Sequence, residues 1–432
     1  MIAPPTDPAG FGAADGVAAV RSGALEPQSW VDALLARAAA HDARIRAWTQ
    51  PVEERRRRIG AVAAPDRALP LAGLPVGVKD VIDAAGWPTE CNSPIEAGRV
   101  AAASAAAVAR LEAAGALVIG KTVTTEYAYM APGPTTNPHD PSRTPGGSSS
   151  GSAAAVADFQ VSVALATQTG GSTIRPAAFC GIVGYKPPFG HVPTKGLALL
   201  APSLDVIGLH ARSVADIALV AAIMEARPHP IVAGPPPRFL AIDIADADTS
   251  ADAHSMLTEA AETLRRAGAT VRQAQTPESF RVLDRAHRVI MSVEVARNFV
   301  ARYAARRADL SDDLAAFIER GQAVTGDELA AAHAAVAIAR EDLFALGGEI
   351  LMTPAAPGEA PLGLQSTGSA ALNRLWTLLH VGVMTVPAGL GTNRMPLGLQ
   401  LVDPLPGAPN LFSAATFAER ALAPAAKGEG IG

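Results

Sequence analysis

Cysteine is nearly absent from this chain. The two present in 432 residues, Cys91 and Cys180, make neither a zinc-type spacing nor a disulfide framework, and they fit a reduced compartment. Metal motifs such as H-E-x-x-H are missing too, so no metal or other cofactor is expected. There is no basic excess. With 36 basic and 41 acidic residues and a net charge of −5, the balance argues against a nucleic-acid partner. No window holds 18 uninterrupted apolar residues of membrane type. The amino terminus, MIAPPTDPAG, lacks the basic and apolar regions of a signal peptide. The expectation is a cytoplasmic protein with no membrane partner.

Lysine is scarce in a different way. Of the 36 basic residues only five are lysine: Lys79, Lys121, Lys186, Lys195 and Lys427. Four of them fall between positions 79 and 195. Arginine cannot give up its proton inside a protein, whereas a desolvated lysine can. The cluster therefore hints at a lysine used as a base, against the plainer reading of chance grouping in a small sample.

What is abundant is apolar surface. At 49% hydrophobic and 18% charged residues the chain can bury a large core. Residues 12–48 read as two helices, the second capped by Ser29 with Trp30, Leu34, Leu35 and Ala38 on one face. The run Glu53 to Arg58 continues a solvated helical face. Residues 74–83 read as a buried strand carrying Lys79, 104–114 as a helix ending at Gly115, and 116–122 as a strand. Residues 131–147 form a long loop rich in Pro, Gly, Thr and Asn. Strands follow over 161–166, 205–210, 238–242, 350–354 and 397–402. Helices are expected at 213–225, with Ser213 as cap, at 250–267, through most of 279–348, and from about Pro409. The α-then-β rhythm with short connections indicates an α/β fold.

The centre of the chain is residues 145–175. Two glycine-serine turns, Gly146-Gly147-Ser148-Ser149-Ser150-Gly151-Ser152 and Thr169-Gly170-Gly171-Ser172, flank an apolar run. Glycine lets backbone N–H groups approach a ligand, and serine supplies hydroxyls that attack or relay protons. A flexible linker would not alternate with a strand. Gly147-Ser148-Ser149-Ser150-Gly151 matches the G-x-S-x-G nucleophile elbow in letters, at Ser149, but follows a Pro-Gly loop rather than a strand. No histidine has a partner motif. His139 and His191 fall in loops; His254, His287 and His333 fall on helices and read as solvated. Cys180, between Phe179 and Gly181, reads as an inert core thiol. A serine activated by lysine remains.

These residues resemble the amidase signature family of serine hydrolases. The resemblance runs from about 72 to 220 and resumes weakly from 352 to 422. Four motifs carry it in order: Gly73-Leu74-Pro75-Val76-Gly77-Val78-Lys79-Asp80, the stretch from Thr144 to Ala157, Thr167-Gln168-Thr169-Gly170-Gly171-Ser172, and Arg175-Pro176-Ala177-Ala178-Phe179-Cys180-Gly181. The resemblance implies a large mixed β-sheet flanked by helices on both faces. It implies a Ser–cis-Ser–Lys catalytic set with Ser172 as nucleophile, Ser148 as bridging serine and Lys79 as base. The oxyanion hole falls on the backbone of Thr169, Gly170, Gly171 and Ser172, and Thr167 and Arg175 are supporting residues.

Two departures stand out. Many members have Asp at Gln168 and an Ile-Arg pair directly after the nucleophile, whereas here Thr173 and Ile174 separate Ser172 from Arg175. The variant resembles a branch that usually carries Ala in place of Gly171. The resemblance further implies one amidase domain over 1–432: N-terminal helices to 70, a catalytic core over 71–225, a helical substrate-facing region over 226–350, and closing strands and a helix over 351–432. The implied activity is hydrolysis of a small carboxylic or ureido-type amide through an acyl-enzyme. The expected partner is a small-molecule amide, with a homodimer possible. The alternatives are the amidase subunit of a tRNA-dependent amidotransferase, which Gln168 and the displaced Arg175 fit poorly, and a catalytically silent binding module on the same fold.

Overall fold

The computed structural model of the protein describes residues 7–60, 66–231, 234–242, 249–405 and 410–423. Its frame is one sheet of ten strands: β1 (Pro75–Lys79), β2 (Leu117–Thr122), β3 (Val163–Gln168), β4 (Val183–Lys186), β5 (Val206–Ala211), β6 (Arg238–Ile242), β7 (Thr270–Ala274), β8 (Ile350–Pro354), β9 (Gly382–Leu390) and β10 (Pro396–Asp403). Their spatial order is β2-β1-β3-β5-β4-β9-β10-β8-β6-β7. The outer pairs are parallel and the central strands antiparallel, so the sheet is mixed. Strands β1, β3, β5 and β10 are buried along their whole length. That explains why they read as continuous apolar runs rather than alternating patterns.

Most expected elements appear within a few residues of their expected bounds. Ser213 caps the helix Val214–Met224 through its hydroxyl and the Asp216 N–H. Ser250 caps Ala251–Arg266 in the same way. Ser29 is not a cap: that helix begins at Pro27, after Glu26. Proline at the first helical position supplies a preset φ and no surplus N–H, so it moves the start three residues upstream. Three strands lie outside those expected from the sequence: β4, β7 and β9. β7 is a polar edge strand with only Val271 buried. β9 follows the helix Ala371–Leu378 after three residues, and its apolar residues continue the helix's own pattern.

Residues 278–345 form a helical layer. Its α-helices are Leu283–Asn298, Val300–Arg306, Asp312–Ala323 and Gly326–Ala345. The last starts with a reciprocal capping box between Thr325 and Glu328. Helix 283–298 meets helix 312–323 at Gly321, where an added Cβ would lie 1.9 Å from the Ser292 carbonyl oxygen. Only glycine permits that approach. The layer is pinned to the core through residues 126–129. Glu126 accepts the Ser311 N–H, Tyr127 packs edge-on against Phe299, and Tyr129 stacks on Phe317 at 4.6 Å. This docking brings helix 283–298 against the turn that carries Ser172.

Candidate active site

β1 and β3 are parallel neighbours and end at the same edge of the sheet, with Val78 opposite Leu165. Carboxyl ends of parallel strands are where open α/β sheets bind ligands. Lys79 closes β1 and is fully buried. Its Nζ lies 2.6 Å from Thr167 Oγ1 and 2.7 Å from Ser148 Oγ. No carboxylate bonds to it among the described residues. Burial therefore pulls its pKa well below the ordinary lysine value, with Asp205 opposing weakly from a distance.

Ser148 is 1% exposed, and the Gly147–Ser148 peptide is cis. Arg175 holds that peptide: its guanidinium donates to the carbonyl oxygens of Gly147 and Gly368 and to Thr367 Oγ1. The displacement of Arg175 along the sequence is thus absorbed by the helix Ile174–Cys180, which turns the side chain back toward Ser148. A narrow cavity reaches this loop, lined among others by Thr125, Gly133, Thr144, Gly146 and Thr367. Ser149 is occupied differently. Its hydroxyl donates to the Thr167 carbonyl and accepts the Thr167 N–H, each at 3.2 Å. It ties the loop to β3.

Ser172 sits on the turn between β3 and helix Ile174–Cys180. At 9% it is more exposed than Ser148 or Lys79, and Gly170 beside it is half-buried, so the site opens here. The N–H groups of Gly170, Gly171 and Ser172 have no acceptor among the described residues. Free donors grouped on one turn can receive a developing negative charge. Gly171 has no room for a side chain: a Cβ would lie 2.4 Å from Asn373 Oδ1 and 2.9 Å from Ala370 Cβ. The alanine usual in the similar branch does not fit this surrounding.

Gln168 shows what its amide does in place of an aspartate. Its Oε1 accepts the N–H groups of Thr173 and Ile174, and its Nε2 donates to Thr377 Oγ1. A carboxylate could accept the first two but could not donate the third. Asp205 holds Thr169 Oγ1 at 2.5 Å and the N–H groups of Leu200 and Ala201; burial nevertheless pushes its pKa up to about 6.

Of the residues selected from sequence, Lys79, Ser148 and Thr167 meet directly, and Thr169 to Ser172 form one turn. Arg175 supports the Ser148 peptide. His287, expected to be solvated, is 1% exposed and donates from Nε2 to the Thr169 carbonyl at 2.7 Å. Burial holds it neutral, with a pKa of about 4. It, Thr377, Asp205 and the role of Gln168 carry no sequence signal, because their partners lie 36 to 209 residues away or are backbone atoms. Cys91 is buried with its thiol pushed up to about 12, and Cys180 is buried and pushed up further. Neither is a nucleophile at neutral pH. No cluster of His, Cys, Asp and Glu suited to a metal ion, and no helix long and apolar enough to cross a membrane, occurs among the described residues.

The same chain pattern is found in known proteins. A family model, Amidase, matches residues 29–407. A glutamyl-tRNA(Gln) amidotransferase subunit of Thermus thermophilus is 35% identical over 414 residues, covering 83% of this chain and 87% of that protein. Its namesake from Anaeromyxobacter sp. is 43% identical over 232 residues, 51% of this chain and 47% of that protein. The chain thus spans about half the length of several curated relatives it matches. Among solved structures, one described as an amidase is 28% identical with a TM-score of 0.84, covering 95% of this chain and 100% of the other. The peptide amidase of Stenotrophomonas maltophilia is 27% identical with a TM-score of 0.76, covering 97% and 98%. Family match and fold agree, and the chain belongs to the amidase family of amide-hydrolysing enzymes.

Proposed function

We propose that this protein hydrolyses a small carboxylic or ureido-type amide through an acyl-enzyme on Ser172. The observation that carries the reading is the buried Lys79, bonded to the hydroxyls of Ser148 and Thr167 and, among the described residues, to no carboxylate. A lysine so placed loses its proton readily and can act as a base. Ser172 Oγ attacks the amide carbonyl carbon while its proton passes through Ser148 to Lys79. The oxyanion that forms is received by N–H groups of the Thr169–Ser172 turn, each donor worth roughly 3 kcal/mol in systems of this kind. The C–N bond then breaks, and the relay returns the proton to the leaving nitrogen. Water, deprotonated by the same relay, attacks the ester carbon and frees the acid and Ser172.

A second reading has its own support in the names of the curated relatives: an amidase subunit that releases ammonia from an amide for an amidotransferase partner. One experiment addresses both. The purified chain is incubated with a fluorophosphonate, digested and mass-mapped, and assayed alone for ammonia release from aliphatic, aromatic and ureido amides and glutamine. The adduct is expected on the peptide containing Ser172, with ammonia released by the chain alone. An adduct on Ser148, Ser149 or Ser150 with Ser172 unmodified reverses the assignment. Turnover of glutamine only, and only with partner subunits, selects the second reading.

A further inference from the structure

Three successive carbonyls precede Ser172, and each is gripped. Thr169 O accepts from His287 Nε2 at 2.7 Å, Gly170 O from Thr377 Oγ1 at 2.7 Å, and Gly171 O from the Arg175 N–H at 3.0 Å. The peptides of this turn are trans. In a planar trans peptide the C=O and the following N–H point in opposite directions. Holding the carbonyl of Thr169 therefore aims the N–H of Gly170 away from His287. Holding that of Gly170 aims the N–H of Gly171 away from Thr377. The N–H groups thus aimed are ones left without an acceptor among the described residues.

We propose that His287 and Thr377 form a two-point clamp, from outside the signature motifs, that fixes the direction of the two glycine N–H donors. The inference rests on the reading of Ser172 as nucleophile given above. Both are positioning residues: they bond to the backbone of the turn, not to reacting atoms.

The clamp is itself rigid. Both side chains are 1% exposed. His287 rides on helix 283–298, which is locked to its neighbour at Gly321. Its Nδ1 is buried with no partner, so the ring's one hydrogen-bond assignment is Nε2–H to Thr169. Thr377 rides on helix Ala371–Leu378. That helix is anchored by Asn373 Nδ2 to the Ala355 carbonyl and to Gln400 Oε1, each at 2.9 Å. Gln168 Nε2 donates to Thr377 Oγ1 at 3.0 Å, so the threonine proton is left for a carbonyl, and Gly170 O at 2.7 Å is the nearer acceptor than Asn373 O at 3.4 Å. The turn needs this external hold because its glycines carry no side chain and no stiffness of their own.

The test compares deletion with conservative variants. His287→Leu and Thr377→Val remove the donors; His287→Gln returns an N–H near the Nε2 position, and Thr377→Ser keeps the hydroxyl. Acylation by p-nitrophenyl acetate and labelling by a fluorophosphonate are measured with the thermal midpoint of each variant. Each deletion is expected to lower kcat about 10- to 100-fold with KM changed less than about threefold, since misaimed donors act on the transition state. The Gln and Ser variants are expected to recover most of the loss. Thr377→Val is nearly isosteric and carries the test if His287→Leu does not fold. The clamp is overturned if the deletions stay within about threefold of the parent, if the loss lies in KM alone, or if the conservative variants are as slow as the deletions at equal thermal midpoint. Failure of the underlying reading is distinct: the parent would be unreactive with both probes, or Ser172→Ala would react like the parent.

Discussion

Two buried lysines stand on neighbouring parallel strands and are treated in opposite ways. Lys79, on β1, touches the hydroxyls of Ser148 and Thr167. Lys121, on β2, meets Asp80 at 3.1 Å and also donates to Thr89 Oγ1 and the Pro88 carbonyl. Both are fully buried. Burial pulls Lys121 down and pushes Asp80 up, and their mutual attraction opposes both shifts. Lys79 has only groups at a distance, Asp205 foremost, to oppose its own shift. The partner, not the burial, separates the two: Lys121 has a carboxylate to offset its desolvation, and Lys79 has only hydroxyls at hydrogen-bond distance. A third lysine, Lys186, bonds to the carbonyls of Pro187 and Val381, and burial lowers its pKa to about 7. In an arginine-rich chain, the three lysines that lie in strands are, among the described residues, the three that are wholly enclosed.

Exchange at Lys79 should have the largest effect. Lys79→Arg keeps a cation and removes the base, so kcat/KM is expected to fall by several orders of magnitude, on the scale of losing a triad member. Activity within tenfold of the parent, in a folded variant, would sink the proton relay. Next come the adjacent serines. Ser148→Ala is expected to lose about 100-fold or more in kcat, whereas Ser149→Ala loosens a loop contact and costs about tenfold at most. A dead Ser149→Ala beside an active Ser148→Ala would revive the elbow reading.

Lys121 should answer in stability instead. Lys121→Met strands Asp80, at an expected cost of about 3–5 kcal/mol in urea unfolding, while the folded fraction keeps kcat near the parent value. Asp80→Asn combined with Lys121→Met should recover part of that loss. A kcat collapse without destabilisation would place Lys121 in the chemistry and erase the contrast with Lys79. The smallest effect concerns Lys186. Its folded pKa of about 7 lies below the unfolded value near 10.4, so between these pH values the unfolded chain binds a proton that the folded chain lacks. Stability therefore rises with pH across this window. Lys186→Met should reduce the slope by about one proton, read from unfolding midpoints at several pH values inside that window. An unchanged slope would mean that Lys186 keeps its charge in the fold.

Local chemistry makes part of the site readable. A lysine in an apolar strand is costly unless it is used, glycine-serine turns around a strand are not linkers, and an elbow without a preceding strand is suspect. Those arguments single out the strand lysines, the Ser148 loop and the Ser172 turn without reference to distance, and the family resemblance assigns Lys79, Ser148 and Ser172 among them. They fail where the bond partner is a backbone atom or a residue far along the chain. His287 has no motif, and it reads as a solvated helical residue because helix periodicity does not say which layer covers which face. β9 escapes for the same reason: an apolar run after an apolar helix has no marker of where the period changes.

By itself, the sequence determined that the chain is an α/β protein, that the turn carrying Ser172 is flanked by glycines, and that a lysine rather than a histidine is the candidate base beside it. These are properties of residue type and short spacing. Only the tertiary structure decided which lysine is paired and which is not, that Ser149 is tied to β3 while Ser148 reaches Lys79, that Gly171 has no room for a methyl group, and that His287 and Thr377 bond to the turn. Each depends on the direction of a side chain or peptide plane relative to an element 18 to 207 residues away. Hydrogen bonds and steric contacts are decided over a few tenths of an ångström, and no one-dimensional pattern carries that information.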